Sequence, residues 1–112
     1  MSGSYNIVAK KGTTFRLPMT VRTDGTAWNL TGYVARMQVR RSANDSVKLL
    51  DLVSPTNITL NSSGQIVVNA TATAMTAVPA GRYVYDLEVE SAGGEVTSLL
   101  EGRFVVKPEV TQ

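Results

Sequence analysis

The sequence predicts an all-β protein, a single antiparallel β-sandwich of the immunoglobulin-like or jelly-roll kind, on three observations. Short runs in which apolar and polar residues alternate with period 2 recur along the whole chain. Clusters of Gly, Pro, Asn, Asp and Ser separate those runs at short intervals, as turns do between strands. Helical spacing is confined to residues 71–77, where Ala74, Met75 and Val78 allow at most one short helical turn.

Taken in order, residues 1–11 read as an N-terminal arm or edge strand, with Tyr5, Ile7 and Ala9 on one side and Asn6, Val8 and Lys10 on the other. Phe15, Leu17, Met19 and Val21 then alternate with Arg16, Pro18, Thr20 and Arg22, and a proline on the outward set predicts an edge or a bulge. Turn signals follow at Thr23-Asp24-Gly25 and Asn29-Leu30-Thr31-Gly32. Residues 33–41 form a strand with a basic polar face, residues 47–53 an apolar strand closed by Ser54-Pro55, and residues 57–70 a hairpin turning at Asn61-Ser62-Ser63-Gly64.

The cleanest strand is 81–90, entered through Pro79 and Gly81, with Tyr83, Tyr85, Leu87 and Val89 facing inward and Arg82, Val84, Asp86, Glu88 and Glu90 outward. Ala92-Gly93-Gly94-Glu95 turns it into the last strand, 96–106, where Gly102 leaves a gap for Tyr83 or Tyr85 to cover, according to register. Tyr83 also sits where immunoglobulin-like domains carry a tyrosine whose hydroxyl bonds back to the preceding loop, with Tyr85 in the place of the second core cysteine.

Composition narrows the chemistry. A chain of 112 residues with 43% hydrophobic content is one domain, 1–112, large enough to bury its own core. It has no cysteine and no histidine, which excludes disulfides, thiolate metal sites, cysteine nucleophiles and histidine-based triads. No apolar run has the length of a membrane span and residues 1–12 do not read as a signal peptide, so synthesis in the cytoplasm is expected. Asp86, Glu88 and Glu90 share a face about 7 Å apart along the strand but lack the glycine-hinged loop of calcium motifs; no metal, cofactor or catalytic residue is assigned.

The net charge of +2 conceals an asymmetry: residues 1–48 hold eight cations against two anions, and residues 49–112 three cations against seven anions. The basic half would either meet phosphates or pair with the acidic half inside the domain. Pairing is the better reading, with Arg36 and Arg40 beside Asp86 and Glu88 on neighbouring strands; nucleic-acid readers add exposed aromatics among the basic residues, and here Trp28 alone is unplaced. Trp28 is a lid on the open end of the sandwich or an exposed contact.

Two stretches, Asp24-Gly25-Thr26-Ala27-Trp28-Asn29-Leu30-Thr31-Gly32-Tyr33 continuing to Arg41, and residues 79–111, resemble a family of small virion proteins of tailed phages. Together with residues 12–15 they cover about half the chain. The resemblance implies an immunoglobulin-like or jelly-roll sandwich, found in baseplate or fibre-adaptor proteins and in capsid decoration proteins, and its motif residues are turn and core positions. As one bare domain, the chain is most similar to the dimeric staple-type decoration proteins of epsilon15-like phages.

The function so implied is binding alone: decoration and reinforcement of the capsid surface through the major capsid protein, as a homodimer or lattice-bound oligomer, without nucleic acid or membrane. The expected contact residues are Tyr5, Ile7, Lys10 and Lys11 of the arm, which would add to a neighbour's sheet edge, and Trp28, Arg40 and Arg41. A tail or baseplate adaptor is the alternative, and a carbohydrate-binding module, which needs Trp28 and a tyrosine on one concave face, is a further one.

Overall fold

The computed structural model of the chain describes residues 3–108. Eleven strands and one helical turn follow in order: β1 (Gly3–Ser4), β2 (Ile7–Lys10), β3 (Phe15–Thr20), β4 (Arg22–Thr23), β5 (Thr26–Ala27) and β6 (Val34–Arg40). β7 (Leu50–Val53), β8 (Ile58–Leu60), β9 (Gln65–Ala70), α1 (Ala72–Thr76), β10 (Gly81–Glu90) and β11 (Val96–Lys107) complete the chain.

The larger sheet runs β1-β11-β10-β6-β7, with β2 also on the outer edge of β11, and the smaller runs β3-β9-β8. This order is that of strands G-F-C-C′ facing B-E-D, so the sandwich is immunoglobulin-like. One cluster of buried side chains from both sheets forms the core, in which Met37, Val39, Ile58, Ile66, Val68 and Leu87 are fully buried. Phe15 of β3 meets Phe104 of β11 edge-on at 5.4 Å between ring centroids, tying one sheet to the other.

The alternation expected for 81–90 holds along the whole of β10: Tyr83, Tyr85, Leu87 and Val89 are buried while Arg82 and Asp86 are exposed. A polar residue with its apolar neighbours buried is what a sheet covered on one face requires. The expected helical turn is α1, capped by the Thr71 hydroxyl, which accepts from the Ala74 N–H at 3.1 Å, and anchored by the fully buried Met75. The Tyr83 hydroxyl donates to the Pro79 carbonyl at 2.5 Å, the back-bond expected of a tyrosine at this corner.

Two strand expectations need correction, and one expected turn proves to close a hairpin. The sandwich is not wholly antiparallel, because β1 and β2 both run parallel to β11. The strand placed at 47–53 begins only at Leu50; residues 43–49 form a loop in which the Asp45 carboxylate accepts from the Val47 N–H, a local bond that competes with the ladder. The turn at Asp24-Gly25 closes a small hairpin, β4–β5, separate from both main sheets. Its stem is fixed from outside, since the Val21 N–H donates to the Gly64 carbonyl and the Trp28 N–H to that of Val21.

The arm also departs from its expected alternation. Ile7 and Ala9 are buried, but Tyr5 is 52% exposed, because the chain breaks its strand at Tyr5-Asn6 where it crosses Gly102. A Cβ at Gly102 would collide with the Tyr5 carbonyl and lie 3.1 Å from the Asn6 Oδ1. Only glycine admits that crossing. The crossing is bonded on three sides: Tyr5 N–H to the Glu101 carbonyl, Arg103 N–H to Asn6 Oδ1, and the Tyr85 hydroxyl to the Tyr5 carbonyl.

A candidate interaction surface on the larger sheet

The outer face of the larger sheet follows from the register. Tyr85 pairs with Gly102 and Val39, which sets Asp86 between Glu101 and Gln38, Glu88 between Ser98 and Arg36, and Glu90 between Val96 and Val34. A bulge at Leu87/Glu88 shifts β11 by one residue relative to β10. Because of that shift Glu101, Arg103, Val105 and Lys107 all point outward on β11, although Val96 and Ser98 do so before it.

The charges on this face are sorted by position along the strands. The end formed by the start of β10 carries Arg82, Arg103 and Arg40, with Lys10 and Lys107 paired beyond them. The other end carries Glu101, Asp86, Asp51, Glu88 and Glu90, together with Arg36.

Arg36 is the bridge that the sequence led one to expect. Its Nε lies 2.5 Å from Glu88 Oε1 and its Nη1 3.1 Å from Glu90 Oε1. Those hydrogen bonds, the one to Glu88 first, raise the affinity of Arg36 for its proton. Arg40 makes no such pair: its guanidinium donates to the Asp45 carbonyl and the Gln38 side chain. The expected pairing of Arg40 with Asp86 and Glu88 is therefore corrected: the register sets Arg40 opposite Val84, so it lies diagonal to Asp86 on the same depression without bonding to it. Among the described residues Asp86 makes no ion pair; loss of hydration, with Glu88 next, raises its pKa above the ordinary aspartate value against the opposing pull of Arg40 and Arg36. Lys48 to Asp51, at 3.6 Å, is the other ion pair among the described residues.

The residues singled out as contacts do not form one surface. Ile7 is 5% exposed and belongs to the core, so it is withdrawn as a contact; alternation reversed at Tyr5, and the apolar member of the arm went inward. The pairing that the arm was expected to offer a neighbour is made to β11 of the same chain. Tyr5 and Lys10 are exposed, whereas Lys11 reaches across to the Thr76 carbonyl at the end of α1. Arg41 is exposed beside the half-buried Arg40 at the end of β6.

Trp28 is half-buried: its indole N–H donates to the Thr23 hydroxyl at 2.7 Å and its ring leans on Tyr33 at 6.4 Å. It packs on the core as a lid and also borders a hollow of about 190 Å³ with Met19, Val21 and Leu99. Among the described residues its side chain makes no hydrogen bond to Arg40, whose guanidinium bonds Asp45 and Gln38 instead.

Arg82 reads as outward from the sequence; the members of the outer face that sequence reasoning missed are Glu101 and Arg103. Their alternation with the buried Phe104 and Val106 is legible from residue 101 onward, but the bulge before it hid which set faces outward. A depression of about 460 Å³ lies over the boundary between the two charged ends, lined by Gln38, Arg40, Val84, Asp86, Glu101 and Gly102. The Tyr85 phenol below it is pushed up to about 12 by burial and, secondarily, by Tyr5, so it remains a neutral donor. Among the described residues no three acidic side chains converge as a metal ligand set, and no helix is long and apolar enough to cross a membrane.

No family model and no curated protein sequence matches the chain. Among solved structures it is similar to the extracellular domain of the voltage-gated sodium channel beta4 subunit, described as a parallel homodimer with a role in cell–cell adhesion. The identity is 16% over 98% of this chain and 96% of that one, with a TM-score of 0.42. At that score the likeness carries no argument, and the assignment of the fold rests on the strand order and register above.

Proposed function

We propose that this chain is a non-catalytic structural protein of a tailed-phage virion, which decorates and reinforces the capsid by binding the major capsid protein at its outer surface. The reading rests on the resemblance of residues 24–41 and 79–111 to small virion proteins, and one structural observation supports it: where the family-like residues fall. Leu30 is a buried plug at 1% exposure, Tyr83 ties down the 79–83 corner and Gly102 admits the arm. Residues spent on closing the fold leave the surface free to vary with the partner, as expected of a binding module whose fold is shared and whose partner differs.

The mechanism is avidity. A small domain reinforces a shell through many weak, symmetry-repeated contacts, each raising the effective concentration of the next. Tyr5, Lys10, Trp28, Arg40 and Arg41 remain the proposed contacts. Co-sedimentation with undecorated shells tests this: the wild-type chain binds saturably, and Arg40→Glu/Arg41→Glu protein loses occupancy. Unchanged occupancy in the variant removes the basic loop end from the interface, and no binding by the wild type removes the role.

A further inference from the structure

The basic end of the larger sheet gathers cations that find no carboxylate partner among the described residues. Lys10 of β2 lies beside Lys107 of β11; Val8, Val105 and Arg82 form the next row, and Arg103, Val84 and Arg40 the row after it. Lys10, Lys107, Arg82 and Arg103 are exposed, and none of these cations, Arg40 included, makes an ion pair with a described residue. Arg40 donates to the Asp45 carbonyl and the Gln38 side chain, both neutral, so its charge is held in place but not cancelled. Glu101 and Asp86 stand in the following row, about 7 Å on, and bound the patch on that side. Like charges gathered side by side cost stability, and an anionic partner would remove that cost.

Size and lining narrow the partner. Four strands and three rows measure about 14 Å by about 13 Å at ordinary strand spacing and rise. A globular interface needs about 800 Å² per partner, several times this area, whereas one extended segment of about five residues covers it. Between the cations lie Val8, which is 61% exposed, and the half-buried Val84 and Val105. The rings of β10 and β11, Tyr83, Tyr85 and Phe104, are buried in the core, and the exposed Tyr5 of the arm lies outside the three rows. The patch therefore offers nucleic-acid bases no platform for stacking. Aliphatic side chains between cations fit a polypeptide instead, one in which carboxylates and apolar side chains are interspersed.

We infer that this patch is a docking site for an acidic, extended segment of a partner protein, whose carboxylates meet Lys10, Lys107, Arg82, Arg103 and Arg40 and whose aliphatic side chains rest on Val8, Val84 and Val105. The cations supply steering and most of the salt-dependent attraction, and the valines add apolar burial that a purely ionic ligand cannot use. The Glu101-Asp86 row repels the same segment, so the ligand is confined to the basic end and does not run on along the strands. The site belongs to the domain itself and does not depend on the virion role.

Fluorescence anisotropy of the full chain with a labelled peptide of repeated Glu-Glu-Val-Val tests this in the absence of shells, so its result is separate from that of the virion role. Saturable binding is expected in low salt, and at least ~10-fold weaker binding in about 0.5 M salt. A Glu-Glu-Ser-Ser peptide of equal charge is expected to bind at least ~3-fold more weakly, since it lacks the apolar side chains. Arg82→Glu/Arg103→Glu should lose at least ~10-fold in affinity. Arg16→Glu/Arg22→Glu makes the same change in net charge on β3 and β4, away from the patch, and should stay within about 2-fold of the wild type. Circular dichroism reports whether each chain folds, and Lys10→Glu/Lys107→Glu carries the same expectation if the first variant does not. No binding in low salt, equal losses in the patch variant and the Arg16/Arg22 variant, or tighter binding of an oligothymidylate of equal charge overturns the inference.

Discussion

Tyr85 stands opposite Gly102 in the ladder between β10 and β11, and its hydroxyl passes the gap left by that glycine to donate to the carbonyl of Tyr5 at 2.6 Å. The arm, 80 residues from Tyr85 along the chain, is thereby held at one point against the central and last strands. This crossing joins β1 and β2 to the sheet and forms the floor of the depression on the outer face.

Gly102→Ala is the sharpest test of the crossing. An added methyl would strike the Tyr5 carbonyl, which is backbone and has little room to give, so the arm must move. A loss of at least about 2 kcal/mol is expected, through overpacking and the three hydrogen bonds it breaks. Urea denaturation measures the loss, and amide exchange at Ile7–Lys10 should rise before exchange in β10.

Tyr85→Phe separates the hydrogen bond from the packing. It should cost about 1 kcal/mol at neutral pH, one buried bond's net worth plus an unpaired carbonyl. The wild type should also lose stability as pH rises from about 10 toward about 12, because the unfolded phenol ionises while the folded one keeps its proton. The variant lacks that phenol, so its stability should fall less over the same window in thermal melts.

Arg36→Ala removes one cation and leaves Glu88 and Glu90 facing each other unpaired. The pair is half-exposed, so the expected loss is about 1 kcal/mol, shrinking as salt is added. A double-mutant cycle with Glu88→Gln measures the coupling, which should exceed that of Arg36 with Glu90→Gln, because the shorter bond is to Glu88.

Asp86→Asn should have the opposite sign. Burial and then Glu88 raise the folded-state pKa of Asp86, so its ionised form opposes folding; the group costs nothing below its unfolded pKa and its penalty grows as pH rises through the raised folded value. At pH 7 the variant is expected to be more stable by about 0.5 kcal/mol, the scale of a like-charge cross-strand contact. At pH 3 the difference should vanish.

What the sequence made legible is set by period. Alternation at 83–89 and 101–107 determines which side chains enter the core, and the tyrosine at the 79–83 corner announces the immunoglobulin-like strand order. The arm was misread at Tyr5 and Ile7 because the interruption at Tyr5-Asn6 is imposed by a glycine 96 residues away, which no local pattern contains. The pairing of Arg36 with Glu88 was visible as opposite charge on neighbouring strands, but the partners of Arg40 depend on register, which a one-residue shift changes completely. The outward set of β11 was hidden by the bulge at Leu87/Glu88 for the same reason. The sorting of charge into two ends is a property of five strands together and is absent from any single run of sequence.

The proposed role in a virion is tested most directly by the copy number of this chain per particle, from quantitative mass spectrometry of phage particles purified from the cells that produce the chain, with the major capsid protein as internal standard. Capsid decoration predicts hundreds of copies in a fixed ratio to the capsid protein. A handful of copies per particle, or none, contradicts it.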